Sequence, residues 1–291
     1  MFFNKTDKKV AIVSNDAGGA EYISSMIEYE KYDCVYSLNG PAKSIFRRKL
    51  GPIKNHSIYD AIASSDWVLT GTGWSSNFEY DAIKYAKDNN YFVVSYLDHW
   101  INYEERFKRN NLELLPDELI VSDKNAYEIS TNIFPSITIH NLPNYYLHSQ
   151  LEKILPITEV NTNQLLYICE PTRNRWGKNL LGEFQALDFF ASKIKKMNIP
   201  QDTKIILRPH PSDETDKYDS WAKQAKLSNR LSIDKKLKLN QAISNSKWVV
   251  GCESYALFLA IRSGREVFCS LPPWAHESRL PFNQIIKLKD L

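Results

Sequence analysis

At 291 residues the chain is long for one average domain and fits two. Its 43% hydrophobic and 24% charged residues are globular values, which exclude a disordered chain. A formal net charge of +3 is too small for a nucleic-acid-binding surface, and the basic runs at 46–49 and 234–238 read as solvated helix faces. The four cysteines (Cys34, Cys169, Cys252 and Cys269) form no C-x-x-C pair, and three lie in apolar runs. Buried free thiols and a cytoplasmic location are expected. The first nine residues lack the apolar core of a signal peptide, and no run approaches the ~18 apolar residues of a membrane span.

In chain order, Val10–Val13 reads as a buried strand ending in Ser14-Asn15-Asp16-Ala17-Gly18-Gly19, with a helix from about Ala20. Strands follow at Cys34–Leu38, Trp67–Thr70, Tyr91–Leu97, Glu118–Val121 and Ile137–Ile139, with a helical pattern through Phe78, Ala82, Ile83 and Ala86. Residues 141–163 change character and read as a linker. A second series has strands at 164–169, Lys204–Leu207, Leu231–Ile233, Trp248–Val250 and Glu266–Cys269. Strands alternating with helices imply βαβ units and mostly parallel sheets. The expected fold is α/β, with two Rossmann-like domains, 1–145 and 160–291, facing a cleft.

Ligands of open α/β sheets bind beyond the carboxyl ends of the strands, so the strand-end loops carry the functional reading. In the first half these are the Asp16–Gly19 turn, Thr70-Gly71-Thr72-Gly73-Trp74-Ser75-Ser76, and Asp98-His99-Trp100. Asp16 reads either as a helix cap or as a general base, and Gly18 and Gly19 allow a ligand to come close. Thr72, Trp74, Asp98 and His99 offer the polar and aromatic surface that suits a sugar acceptor. Asp98 also reads as the residue that orients His99.

In the second half, Glu170-Pro171-Thr172-Arg173 ends one strand and Arg208-Pro209-His210-Pro211 the next. Gly251-Cys252-Glu253-Ser254 ends a later strand and opens an apolar helix. Arg208 and His210 can meet phosphate charge, a helix start at Ser254 suits an anion, and Glu253 can accept from ribose hydroxyls. Glu253-Ser254 also reads as an ordinary cap. The chain has no H-E-x-x-H, zinc spacing, G-x-S-x-G or P-loop, and no Asp-any-Asp pair to hold a divalent ion on a sugar diphosphate. The expected chemistry therefore uses neither metal nor cofactor.

These motifs resemble bacterial GT-B glycosyltransferases. The His-Pro pair followed by a Ser-bearing helix start is similar to sialyltransferases and other nonulosonic acid transferases of surface-polysaccharide clusters. That resemblance implies an inverting, metal-independent transfer from a nucleotide sugar, with a CMP-linked nonulosonic acid favoured as donor. It implies His210 as the contact to the leaving phosphate, Ser254 as its partner and Asp16 as the base for the acceptor hydroxyl. Thr172, Arg173, Arg208 and Glu253 complete the donor set, and Gly18, Gly19, Thr72, Trp74, Asp98 and His99 the acceptor set. The acceptor would be a glycan or lipid-linked glycan, the latter placing the protein at a membrane surface as a peripheral enzyme. The chain departs from the family in having one acid, Asp16, where two adjacent acids precede the glycine. It also shows no returning helix in its last residues, 285–291. A CDP-glycerol-type phosphotransferase, a UDP-sugar 2-epimerase-like isomerase and a non-catalytic nucleotide-sugar-binding scaffold share the same plan.

Overall fold

The computed structural model describes residues 8–74, 76–160, 162–172, 174–225, 227, 229–234 and 236–291. Contacts divide the chain into two compact units, Met1–Ser149 and Gln150–Leu291.

The first unit carries strands β1 (Val10–Ser14), β2 (Cys34–Leu38), β3 (Trp67–Thr70), β4 (Phe92–Tyr96), a two-residue hairpin β5–β6 (Lys108–Arg109 and Leu112–Glu113), β7 (Glu118–Val121) and β8 (Thr138–Asn141). Its helices are α1 (Ala17–Glu30), α2 (Ala42–Leu50), α3 (Ile58–Ala63), α4 (Phe78–Asp88), α5 (Tyr103–Phe107), α6 (Lys124–Ile133) and α7 (Tyr145–Leu151), the last running past the division. The sheet order is β2-β1-β3-β4-β7-β8, and every pairing in it is parallel. A parallel sheet covered on both faces needs apolar residues at successive positions. Val10, Ala11, Ile12 and Val13, all fully buried, meet that need in β1.

The second unit carries β9 (Gln164–Ile168), β10 (Lys204–Arg208), β11 (Leu231–Ile233), β12 (Trp248–Gly251), β13 (Glu266–Cys269) and β14 (Ile285–Lys287). Helices α8 (Gly182–Lys193), α9 (Asp219–Gln224), α10 (Leu239–Ser244) and α11 (Tyr255–Arg262) separate the strands from β9 to β13. This sheet, ordered β11-β10-β9-β12-β13-β14, is again parallel throughout. Its core gathers Leu165, Tyr167, Leu187, Phe190, Leu207 and Phe268.

Each order contains one topological switch point, where ligands of such sheets bind. It lies between β1 and β3 in the first unit and between β9 and β12 in the second. The loops after those four strands hold Asp16, Thr72, Glu170 and Glu253.

Two readings of the sequence are corrected, and one strand is added. Helix α1 starts at Ala17, not near Ala20: Asp16 has extended backbone angles at the N-cap, and the Ala20 N–H bonds its carbonyl at 3.1 Å. Gly18 and Gly19 therefore belong to the first helical turn. The stretch read as a linker contains α7, which the Asn144 side chain caps by accepting the Leu147 N–H at 2.8 Å. Residues 285–287 form the edge strand β14, paired with β13.

Candidate functional site

At the first switch point three carboxylates converge. Asp16 is half-buried at the N-cap of α1, and Asp98 lies just past β4. Glu79, in the first turn of α4, is 1% exposed. Glycines make the room. A Cβ on Gly18 would run into Oδ2 of Asp98, and the same point is 3.5 Å from Oδ2 of Asp16. A Cβ on Gly71 would come within 3.2 Å of Oε1 of Glu79, and one on Gly73 within 3.0 Å of Cβ of Asp16. Gly19 lets α1 approach the β3 loop, with the Cα of Gly71 only 3.3 Å from where its Cβ would stand. These glycines admit the protein's own carboxylates and backbone, whereas the sequence reading gave that room to a ligand.

Arg106 from α5 anchors the cluster. Its guanidinium donates to Oδ1 of Asp98 at 2.6 Å and to Oγ1 of Thr72 at 2.7 Å, and Asp98 and Arg106 are both almost fully buried. The Thr72 hydroxyl in turn donates to the Tyr96 carbonyl at 3.0 Å. Thr72 is 2% exposed and its hydroxyl is turned inward, against the expectation of an acceptor contact. Asp98 holds Arg106 through Oδ1. The His99 ring meets Trp100 edge-on at 5.2 Å, and Trp100 donates to Asp123 at 2.8 Å. Trp74 is 56% exposed.

Burial raises the pKa of Asp16, the negative charge of Asp98 adds to the rise, and Arg106 opposes it. Glu79 is pushed up to about 7, chiefly by burial, although the N–H groups of Asn15 and Asp16 favour its charged form. Asp16 is the accessible member of the set, so it is the one able to exchange a proton with a ligand.

The second switch point also encloses a glutamate. Glu170, past the end of β9, accepts the Cys252 N–H at 2.7 Å and the Glu253 N–H at 3.0 and 2.9 Å. Its pKa is pushed up to about 7, mainly by burial. The two N–H groups of the turn just before α11 are thus met by the protein's own carboxyl. Ser254 caps that helix, its hydroxyl accepting the Ala256 N–H at 3.2 Å. Glu253, read as a ribose acceptor, is engaged by Arg279 at 2.8 Å and His276 at 2.8 Å. Burial alone would raise its pKa, but those hydrogen bonds bring it below the usual range.

One sheet position away, β10 delivers Arg208 and His210. The backbone N–H of Ser212 donates to Nδ1 of His210 at 3.2 Å, and the Ser212 hydroxyl lies 2.7 Å from the same nitrogen. An N–H can only donate, so Nδ1 is the acceptor and Nε2 carries the proton. Burial lowers the His210 pKa, which keeps the ring neutral with Nε2–H as a donor. Asp213 fixes the loop: its carboxylate accepts the His210 N–H at 2.8 Å and pairs with Lys217 at 2.6 Å. Arg208 donates to the Leu237 carbonyl at 2.5 Å. Arg208, Pro209, His210, Pro211 and Asp234 contribute to the walls of a recess of about 230 Å³. The serine hydrogen-bonded to His210 is Ser212. Thr172 packs its methyl toward Gly182 at the start of α8, 2.8 Å from where a Cβ there would stand. Arg173, Ser75 and Lys235 lie outside the described residues.

Sequence reasoning missed Glu79 and Arg106, and named Glu170 without giving it a role. Glu79 sits three helical turns from the next strand in a polar stretch, with only the preceding glycine loop to hint at it. Arg106 reads as one more charge in Glu104-Glu105-Arg106, and nothing local marks it as buried.

Among the described residues no three His, Cys, Asp or Glu side chains are grouped as a metal site, and no helix is long and apolar enough to cross a membrane. No family model matches the chain, and no curated protein matches its sequence. Solved structures do match. The UDP-GlcNAc 2-epimerase from Methanocaldococcus jannaschii superposes with a TM-score of 0.59 at 13% identity, over 90% of this chain and 83% of that one. The glycotransferase of kitacinnamycin gives 0.54 at 8% identity, over 96% and 86%. MurG of Acinetobacter baumannii gives 0.53 at 12% identity, over 98% and 87%. With two parallel six-stranded sheets, the chain has the two-domain fold of the GT-B glycosyltransferases.

Proposed function

We propose that this protein is a metal-independent, inverting glycosyltransferase that uses a nucleotide sugar. Asp16 is the base for the acceptor hydroxyl, and His210 with Arg208 receives the charge of the departing phosphate. The observation that carries the reading is Asp16 itself. It is the accessible carboxylate at a switch point, and burial and a neighbouring anion make it a stronger base than a solvated aspartate. The neutral, Nε2-protonated His210 supports the donor side, since it can donate to a phosphate oxygen without itself changing charge.

In the reaction the acceptor oxygen attacks the anomeric carbon as its proton passes to Asp16. The bond from that carbon to the phosphate oxygen breaks, and the nucleotide leaves with its negative charge. One displacement needs no protein nucleophile. The finer reading is a CMP-linked nonulosonic acid as donor and a surface glycan as acceptor, and it rests on the His-Pro motif of the sequence.

The test is a mass-spectrometric assay of nucleotide release from CMP-, UDP- and CDP-linked donors, with and without glycan acceptors. Acceptor-dependent release that is lost in Asp16→Asn supports the proposal. Isomerisation of a UDP-sugar without acceptor marks an isomerase and overturns it.

A further inference from the structure

Glu79 is almost completely buried, and its two oxygens have different surroundings. Oε1 accepts the N–H groups of Asn15, at 2.7 Å, and Asp16, at 3.2 Å. Oε2 is equally buried and meets no hydrogen-bond partner among the described residues. It faces the space left by Gly73, where a Cβ would stand 3.2 Å from Oε2 and 3.0 Å from Cβ of Asp16.

The charged groups around the pair are all committed. Arg106 on α5 is bound to Asp98, which faces Asp16 from the end of β4. Arg109 on β5 donates to the carbonyls of Gly73, at 3.1 Å, and Ser76, at 2.9 Å. Among the described residues no cation pairs with Glu79. As an anion, Glu79 would therefore be a buried, unpaired charge beside a second carboxylate, an arrangement proteins avoid by neutralising the group. As an acid, its carbonyl oxygen Oε1 accepts both N–H groups, and Oε2 carries the hydrogen.

We propose that Glu79 is a positioning residue that holds, on Oε2, the one proton of the Asp16–Glu79 pair, so that Asp16 is the ionised partner while the backbone of its turn is fixed from behind. Two carboxylates at one turn ionise together only at a cost, and the more buried group takes the proton. The pKa of Glu79, pushed up to about 7, agrees with this geometry. The use made of the ionised Asp16 rests on the transferase reading, but the placement of the proton does not.

The experiment is a ¹³C-carboxyl NMR titration of the full chain, together with thermal melts of wild type and Glu79→Gln from about pH 5 to about pH 8. Glutamine keeps an oxygen for the two N–H groups and mimics the neutral acid. A folded-state pKa above the unfolded value gives stability at low pH that is lost as pH rises through about 7. Glu79 should therefore titrate near 7, above the ordinary glutamate value of about 4.3. Wild type should lose melting temperature relative to Glu79→Gln across that range. Titration of Glu79 in the ordinary carboxylate range, or parallel melting curves, would overturn the proposal. Should the variant not fold, the wild-type titration decides alone. If Asp16→Asn keeps full turnover while Glu79 still titrates near 7, the assignment of Asp16 as base falls and the proton assignment stands.

Discussion

The carboxyl of Glu170 accepts the backbone N–H of Glu253 through both of its oxygens, at 3.0 and 2.9 Å, and so holds the turn that leads into α11. Glu79 holds the Asp16 turn in the first unit through Oε1 alone. Each unit thus closes its switch point with a buried glutamate whose pKa stands near 7.

For Glu170 the consequence is a pH-dependent stability. Its folded pKa, about 7, stands above the ordinary value of a glutamate, about 4.3. The folded protein binds this proton more tightly than the unfolded chain does. Its contribution is full below about pH 4 and is lost as pH rises through about 7. Glu170→Gln should flatten that part of the melting-temperature profile. Glu170→Ala strands the N–H groups of Cys252 and Glu253 and should cost about 1–3 kcal/mol for each group left unsatisfied. Chemical denaturation at fixed pH measures the second effect. Equal stabilities of Glu170→Ala and Glu170→Gln would contradict it.

Much of this was legible in the sequence, and the reason is physical. A strand buried on both faces must be apolar along its length, so Val10–Val13, Trp67–Thr70 and Trp248–Val250 declare themselves. The strand-end position of Asp16 and His210 follows from the same runs. What could not be read is which polar groups turn inward. Thr72, Asp98 and Glu253 look like ligand contacts because their partners, Arg106 and Arg279, stand 34, 8 and 26 residues away. The glycines of the Asp16 turn read as room for substrate until the structure showed Asp98 and Gly71 occupying it.

Gly18 is the sharpest test of that packing. A methyl there meets Oδ2 of Asp98, which Arg106 holds in place. Gly18→Ala should displace Asp98 and lower stability, even though alanine is the better helix former by about 1 kcal/mol. Asp98→Ala leaves a buried guanidinium without its counter-charge, a loss of about 3–5 kcal/mol. Asp98→Asn keeps an acceptor and should cost less. Urea unfolding midpoints give the order. A neutral or stabilised Gly18→Ala would show that the carboxylate can move aside.

The donor side makes a prediction about metal. With no Asp-any-Asp pair in the sequence, phosphate charge falls to Arg208 and His210, so transfer should persist in EDTA. Loss of turnover restored by magnesium or manganese would reassign that charge. His210→Ala should lower kcat by at least ~10²-fold in a folded protein, the scale of one preorganised donor. Because burial lowers the His210 pKa, the ring stays neutral near pH 7 and no fall in turnover is expected from its deprotonation above that pH. A falling limb between about pH 6.5 and 8 that disappears in His210→Gln would show that the charged ring is the working form.

The base assignment carries the most weight. Asp16 and Asp98 face each other across Gly18, but they are bound differently. Asp98 is almost fully buried and paired with Arg106, so its carboxylate serves the fold. Asp16 is half-buried, and its pKa is raised by burial and then by Asp98. Turnover should therefore climb with pH as Asp16 ionises, along a limb displaced above the ordinary aspartate range near 3.9. Asp16→Asn should abolish transfer by ~10²-fold or more while melting temperature and nucleotide affinity hold, because the nucleotide contacts are assigned to the second unit. Asp98→Asn should instead lower the melting temperature first. It should also shift the acid limb downward in whatever activity survives, since one of the charges raising Asp16 is gone. Measuring kcat against pH for the three proteins, alongside nucleotide affinity, separates the roles. An unshifted limb in Asp98→Asn, or full kcat in Asp16→Asn, would place the base on another residue.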